Sequence, residues 1–153
     1  MAALKLARAV AGGFGCGAVP GAPGTAASVA ATLLGAALLA ISPWVLALAA
    51  VVAVSVGIWA IARVGAAGDP SWIVIDEIAG QWIALLYLRD PAPLGLLAGF
   101  LLFRLFDIVK PGPVGWADRR SGPVAVMADD VVAGVLAALL LYLLRRAWPG
   151  VLD

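Results

Sequence analysis

Two pairs of adjacent carboxylates stand out in the sequence because both lie among apolar residues. Asp76 and Glu77 follow the largely apolar run 72–75, and Asp129 and Asp130 lead into an apolar stretch that ends at position 144. A carboxylate among apolar groups is costly to desolvate unless it is paired or binds a metal ion. Alternatively, each pair only stabilises the N-terminus of a helix. Since residues 73–75 precede the first pair, we expect that pair inside its apolar segment, which favours a functional site.

Arg104, Asp107 and Lys110 recur at every third position before Pro111. This spacing places them on one helix face. They could form a simple ladder of ion pairs whose cationic ends reach the membrane surface. Two cations around a carboxylate also suit a site for phosphate and a metal ion, because arginine binds two phosphate oxygens and lysine adds a point charge.

A segment rich in glycine and proline lies near the N-terminus, between Gly12 and Thr25. Glycine allows backbone N–H groups to approach an anion, and the N-terminus of a helix favours phosphate. We expect Thr25 to be the N-cap of the first long helix, with Gly24 beside it. Gly24 and Thr25 are therefore candidate phosphate-binding residues, unless the segment is only a flexible loop followed by an ordinary cap.

Residue types that are absent or rare exclude several catalytic mechanisms. The chain has no histidine and one cysteine, Cys16. Catalytic Ser-His or Cys-His pairs are therefore excluded, and a zinc site is not expected. The remaining carboxylates, including Asp118, are hard oxygen ligands that suit Mg²⁺. These residues predict metal-assisted hydrolysis of a phosphate.

The composition indicates that this chemistry takes place in a membrane. Of the 153 residues, 64% are hydrophobic and only 12% are charged, against about 25% charged in ordinary soluble domains. So small a soluble domain could not bury this much apolar surface. The net charge of +1 provides no basic surface for nucleic acid. We expect one domain over residues 1–153, and the sequence leaves the oligomeric state open.

Five apolar segments predict an all-α, polytopic membrane helical bundle of about five hydrophobic helices, preceded by a Gly/Pro-rich N-terminal loop. The segments are 26–41, 44–62, 73–88, 94–109 and 124–144. With the N-terminus in the cytoplasm and all five crossing, the inner side carries most basic residues, as the positive-inside rule requires: Lys5, Arg8, Arg63, Arg104, Lys110, Arg119 and Arg120. The outer side carries Arg89, Arg145 and Arg146.

The acidic residues test this topology independently, because they were not used to choose it. Those on the outer side are only Asp90 and Asp153. Those on the inner side are Asp69, Asp76, Glu77, Asp107, Asp118, Asp129 and Asp130. Acids from separate stretches thus gather at one membrane face, whereas a small cation or solute transporter, the competing hypothesis, would spread them through the bilayer.

The ordered set of motifs resembles the bacterial phosphatidylglycerophosphatase A family. The matching residues run from Gly13-Phe14-Gly15 through Pro23-Gly24-Thr25 and Ser28, Asp76-Glu77 with Gly80 and Trp82, Phe103-Arg104 with Asp107 and Lys110-Pro111, to Asp118 and Asp129-Asp130 with Ala133-Gly134. The loop 119–123 departs from the family pattern, in which this loop is usually longer and richer in glycine.

The resemblance implies Mg²⁺-dependent removal of the terminal phosphate of phosphatidylglycerophosphate to give phosphatidylglycerol, with a membrane phospholipid as substrate. It also implies an enzyme of the bacterial inner membrane whose site faces the cytoplasm. Our hypothesis assigns the Mg²⁺ ligands to Asp76, Glu77, Asp107, Asp129 and Asp130, with Asp118 as a further catalytic ligand or base. Arg104 and Lys110 would bind phosphate together with backbone N–H groups at Gly24 and Thr25.

Overall fold

The computed structural model describes residues 1–65 and 70–150, and every regular element in those two ranges is helical. The helices are α1 (Ala2–Ala11), a 3₁₀ helix (Gly13–Ala18), α2 (Pro23–Ile41), α3 (Pro43–Val64), α4 (Ile75–Leu85), α5 (Pro93–Val109), α6 (Pro113–Asp118) and α7 (Pro123–Ala147). Asp69 and Asp153, which the predicted topology places on opposite sides, lie outside the described residues.

Proline begins five of these helices, at positions 23, 43, 93, 113 and 123. Its fixed φ suits the first helical turn, where the N–H that proline lacks would have no helical partner. The prediction that Thr25 is an N-cap is therefore wrong. Helix α2 begins two residues earlier, at Pro23, with Ala22 as its N-cap.

Over residues 1–65 and 70–150 the structure confirms the all-α prediction, and three helices are candidate membrane spans. By length and hydropathy, α2, α3 and α7 can each cross a bilayer, with 19, 22 and 25 residues. Helix α5 has 17 residues and α4 has 11, or roughly 25 Å and 16 Å at 1.5 Å per residue. The number of about five spans is therefore not confirmed by helix length.

The short helix α4 lies in the middle of the bundle, in contact with α2, α3, α5 and α7. Most of its residues are buried, including Ala79, Ala84 and Leu85. The indole N–H of Trp82 donates a hydrogen bond of 2.9 Å to the carbonyl of Ala31 and so links α4 to α2. Protein therefore shields this helix, which explains how an apolar segment too short to cross alone is accommodated.

The prediction of a Gly/Pro-rich N-terminal loop is not confirmed. Much of this segment is helical, as α1 and the 3₁₀ helix. Helix α1 packs on α3 through Ala7 and Ala11, which are fully buried. The Ala11 carbonyl accepts a hydrogen bond of 2.8 Å from the N–H of Val74. Residues 73 and 74 are consequently outside α4, and the acidic pair at 76 and 77 lies in the first turn of that helix rather than in its interior.

Helices α4 and α7 approach most closely where a glycine of one faces a glycine of the other. A Cβ on Gly134 would lie 2.3 Å from the carbonyl oxygen of Gly80, and a Cβ on Gly80 would lie 2.5 Å from the carbonyl oxygen of Asp130. Neither distance leaves room for a methyl group. The contact is one turn away from Asp76 on α4 and from Asp130 on α7, so it determines how closely these side chains meet.

Replacing Gly134 with alanine should separate α4 from α7, because the new methyl group meets backbone that cannot rotate away. We expect a loss of about 1–3 kcal/mol in the free energy of unfolding, as is usual for overpacking. Thermal unfolding in detergent measures the change. The matched control is Val135→Ala on the exposed side of the same helix, and a Gly134→Ala protein as stable as this control would contradict the assigned contact.

Candidate active site

Three carboxylates from two helices meet at one end of the bundle. Asp76 and Glu77 come from the first turn of α4 and Asp130 from α7, and one oxygen of each lies within 4.8 Å of the others. Asp76 and Asp130 are buried, with 7% and 3% of their surfaces exposed, and Glu77 is half-buried. Ionised carboxylates so close together repel each other, and a cation between or beside them relieves that repulsion. We call these three residues the acid centre.

Arg104 and Asp107 of α5 lie next to the acid centre. The Arg104 guanidinium forms an ion pair with Asp107, and its Nη1 donates a hydrogen bond of 3.4 Å to the Ser28 hydroxyl of α2. Asp107 interacts electrostatically with both Glu77 and Asp130. Arg104 thus brings positive charge to the acid centre, and its spacing from Asp107 agrees with the predicted shared helix face.

The N-terminus of α2 also abuts the acid centre. A Cβ on Gly24 would lie 2.3 Å from Oε1 of Glu77 and 3.4 Å from Nη1 of Arg104, so a side chain here would displace the Glu77 carboxylate. Thr25 follows in the first turn and is half-buried. The first N–H groups of a helix have no partner within the helix and favour an anion. Gly24 therefore places unpaired backbone donors beside Glu77 and Arg104.

Asp118 and Asp129, the remaining two predicted site acids, form a second cluster around Lys110. Lys110 Nζ forms ion pairs with Asp118 of α6 and with Asp129 of α7, the latter at 2.9 Å. Partial burial works against the charge of Lys110, but hydrogen bonds to these two carboxylates outweigh it and raise its pKa. The structure thus divides the predicted set, with Asp129 directed to Lys110 and Asp130 to the acid centre.

Lys110 does not share a helix face with Arg104 and Asp107 as its spacing predicts. It follows the last residue of α5 and adopts a left-handed backbone with a φ of 49°. Pro111 comes next and cannot donate the hydrogen bond that would continue the helix. The turn carries the lysine side chain away from Asp107 and towards α6 and α7.

Buried polar atoms without a hydrogen-bond partner are concentrated in this region. Within residues 1–65 and 70–150 they are Asp76 Oδ1, Glu77 Oε2, Asp129 Oδ1, Arg104 Nε and both amide atoms of Gln81. Buried polar groups normally have a partner in the protein or in bound solvent or ligand. Oxygen atoms that lack one, held close together, are the ligands Mg²⁺ requires. The donor set therefore fits a divalent cation and a phosphate.

Gln81 is the residue of this region that the sequence analysis did not select. Its side chain is fully buried, and it lies one turn after Glu77 on the same face of α4. Gln81 could have been selected from the sequence, because burying a polar amide in an apolar helix costs desolvation energy, as burying a carboxylate does. Ser28, which is also fully buried and accepts the Arg104 hydrogen bond, was noted only as part of a motif.

Comparison with known proteins agrees with this arrangement. A model of the phosphatidylglycerophosphatase A family matches residues 9–145. The phosphatidylglycerophosphatases A of Escherichia coli K12 and Haemophilus influenzae are 38% and 32% identical over 147 and 138 residues, or 92% and 87% of this chain, and in both the match covers 85% of the relative.

A third relative carries a different name. A Bacteroides thetaiotaomicron protein, provisionally named a phosphatidylinositol-3-phosphatase, is 40% identical over 142 residues, covering 87% of this chain and 89% of its own length. No solved structure matches the chain.

Replacing Gln81 with leucine should stabilise the protein when no divalent ion is added. Leucine has a similar volume and removes two buried polar atoms that lack partners, each of which costs about 1–3 kcal/mol. We expect a higher midpoint of thermal unfolding in detergent containing EDTA. The companion variant Gln81→Glu, which adds a negative charge near Glu77, should lower that midpoint. A loss of stability in Gln81→Leu would show that the amide has a partner.

Proposed function

The chain belongs to the phosphatidylglycerophosphatase A family, and we propose that it removes the terminal phosphate of phosphatidylglycerophosphate at the acid centre with Mg²⁺ as the metal. As a member of this family it is a hydrolase of phosphate monoesters. The observation that carries the assignment of the site is the meeting of Asp76, Glu77 and Asp130 beside a guanidinium and a helix N-terminus.

The residues of the acid centre would hold the metal ion. Asp76, Glu77 and Asp130 would provide the ligand oxygens, and Asp107, which interacts electrostatically with Glu77 and Asp130, would orient Arg104 through their ion pair. When bound, Mg²⁺ supplies positive charge to the phosphoryl oxygens and makes a water molecule more acidic. One carboxylate of this group then accepts the proton of the attacking water.

The phosphate would be bound by cationic and N–H groups beside the acid centre. Arg104 donates to two phosphate oxygens, and the N–H groups at Gly24 and Thr25 donate from the first turn of α2. Ser28 and Asp107 hold the guanidinium in place between them. Lys110, which is paired with Asp118 and Asp129, would be a second cationic contact. Substrate charge is thus neutralised by groups that the fold positions in advance.

The competing transporter hypothesis is not favoured. The buried acids lie at one end of the bundle, in the first turn of α4 and near the beginning of α7, and do not follow a path along the helices. A lipid substrate with a different head group is better supported, because one relative is named for a phosphate on inositol. The same acid centre could act on that monoester, so both lipids belong in the test.

The decisive measurement is phosphate release from phosphatidylglycerophosphate in detergent over a titration of Mg²⁺. Activity should require Mg²⁺ and disappear with EDTA. Glu77→Gln and Asp130→Asn should each lower kcat/KM by about 100-fold or more, since a metal ligand contributes several kcal/mol to the transition state. Phosphatidylinositol 3-phosphate is assayed in parallel.

The matched control is Asp90→Asn. Asp90 is an exposed carboxylate that accepts a hydrogen bond from the nearby Ala92 N–H, so loss of its charge should leave the rate unchanged. Full hydrolysis by Glu77→Gln or Asp130→Asn would reject the acid centre as the site. Hydrolysis that is insensitive to EDTA would reject the metal.

We further propose that α2, α3, α4, α5 and α7 all cross the bacterial inner membrane, with the acid centre facing the cytoplasm. The excess of basic residues on the predicted inner side supports this orientation. The shielding of α4 by four neighbouring helices supports its inclusion. An 11-residue helix can then lie at membrane depth because protein surrounds it.

Cysteine labelling tests this topology. After Cys16→Ser, single cysteines at position 90, between α4 and α5, and at position 119, between α6 and α7, are treated with a membrane-impermeant maleimide in spheroplasts. Position 90 should react and position 119 only after lysis. Reaction of position 119 alone in intact spheroplasts would show that the topology is the reverse of the proposed one. Equal reaction of both positions would show that α5 does not cross the membrane.

A further inference from the structure

A largely apolar cavity of about 430 Å³ lies between the N-terminal segment and helices α2, α3 and α4. Its lining includes Val10, Ala30, Leu34, Ala49, Val52 and Ile78. Almost all of the side chains around it are hydrocarbon. Binding sites for small molecules commonly have about 300–1,000 Å³ and a predominantly apolar lining, so the cavity is large enough for a ligand, and its walls indicate an apolar one.

The cavity is continuous with the surface that would face lipid. Leu34 of α2 and Val52 of α3 both line it and are 59% and 49% exposed. Both helices are long and apolar enough to cross a membrane. An opening of this kind in a membrane faces hydrocarbon chains, which are the molecules at hand to fill it. Empty space there would deprive the lining atoms of dispersion contacts.

The cavity and the acid centre share the first turn of α4. Ile75 and Ile78 line the cavity, whereas Asp76 and Glu77, which lie between them in the sequence, belong to the acid centre. The first turn of α4 therefore separates an apolar compartment from a charged one by the thickness of a single helix. A molecule that occupied both would need a phosphate at one end and hydrocarbon at the other.

The depth of the cavity corresponds to an acyl chain in one leaflet. Gly24 of α2 contacts Glu77, and Leu34, ten positions later on the same helix, lines the far part of the cavity. At 1.5 Å per residue these two levels differ by about 15 Å. This is half of the roughly 30 Å hydrocarbon thickness of a bilayer, so the part of the cavity at Leu34 is about as far from the acid centre as the middle of a bilayer is from its edge.

We propose that this cavity binds one acyl chain of the phospholipid substrate while its terminal phosphate lies at the acid centre. The proposal rests on the proposed function for the phosphate end and adds the site for the hydrocarbon end. The bound chain anchors the lipid beside α4 and limits the positions its head group can reach. Phosphate monoesters without acyl chains lack this anchor and are poorer substrates for that reason.

Variants that fill the cavity test the proposal kinetically. Ala30→Phe and Ala49→Phe place a ring in the cavity from α2 and α3, and Ala37→Phe adds the same bulk to an exposed position of α2 as a control. Two substrates are compared, phosphatidylglycerophosphate with long acyl chains and its acyl-free counterpart glycerophosphoglycerophosphate. The filled variants should lower kcat/KM for the long-chain lipid about tenfold more than for the acyl-free compound, a contrast typical of altered hydrophobic pockets.

The control variant should change the two rates equally or not at all. Equal losses on both substrates in the filled variants would overturn the proposal, because they would reflect damage to the fold or to the acid centre. Unchanged kinetics on the long-chain lipid would overturn it as well. Failure of the proposed function has a different signature, since the wild-type protein would then release phosphate from neither compound.

A binding measurement on the wild-type protein avoids any problem with folding of the variants. Phosphatidylglycerol with a diazirine in one acyl chain is photo-crosslinked to the protein in detergent micelles, and the labelled peptides are mapped. Label should concentrate on the parts of α2 and α3 around Ala30 and Ala49, and excess phosphatidylglycerophosphate should displace it better than phosphatidylcholine. Label spread evenly over α5 and α7, or displaced equally by both lipids, would show only bulk lipid and reject the site.

Discussion

Mutual repulsion of three carboxylates in an apolar bundle is the constraint on which the rest of this structure depends. Asp76, Glu77 and Asp130 place oxygens within 4.8 Å of one another, where like charges raise the energy of the fold. Close contact of α4 with α7 at Gly80 and Gly134 holds them there. The packing energy of the surrounding helices therefore offsets an arrangement that these acids would not adopt alone.

Positive charge and helix ends make that arrangement tolerable. Arg104 lies beside Glu77, and the N-terminus of α2 approaches so closely that a Cβ at position 24 would displace the Glu77 carboxylate. In the neighbouring cluster Lys110 pairs with two carboxylates, Asp118 and Asp129, so part of their negative charge is compensated there. The largest excess of negative charge therefore lies at the acid centre, where three carboxylates meet and a divalent ion would be needed.

The two faces of α4 separate the polar and apolar parts of a lipid phosphatase. One face carries the acids and Gln81, whose buried atoms lack partners, and the other lines a cavity that opens towards the lipid-facing surface. Because α4 is shielded by α2, α3, α5 and α7, both compartments are shaped by packed helices rather than by loops. Such a framework positions a substrate without requiring a large rearrangement of the protein.

The sequence by itself determined the features that depend on composition and local pattern. An excess of apolar residues requires a membrane bundle, and the five long apolar segments agree with α2, α3, α4, α5 and α7 to within a few residues. The acids could be selected because a carboxylate in an apolar segment has a cost that must be compensated.

Only the tertiary structure decided which of these residues meet. Consecutive acids at 129 and 130 point to different partners, since neighbours on a helix are about 100° apart. The left-handed turn at Lys110 sends its side chain to α6 and α7, and the backbone contact of Ala11 with Val74 delays the start of α4. Each of these outcomes is a contact between positions distant in the chain, and periodicity within one segment carries no information about how segments cross.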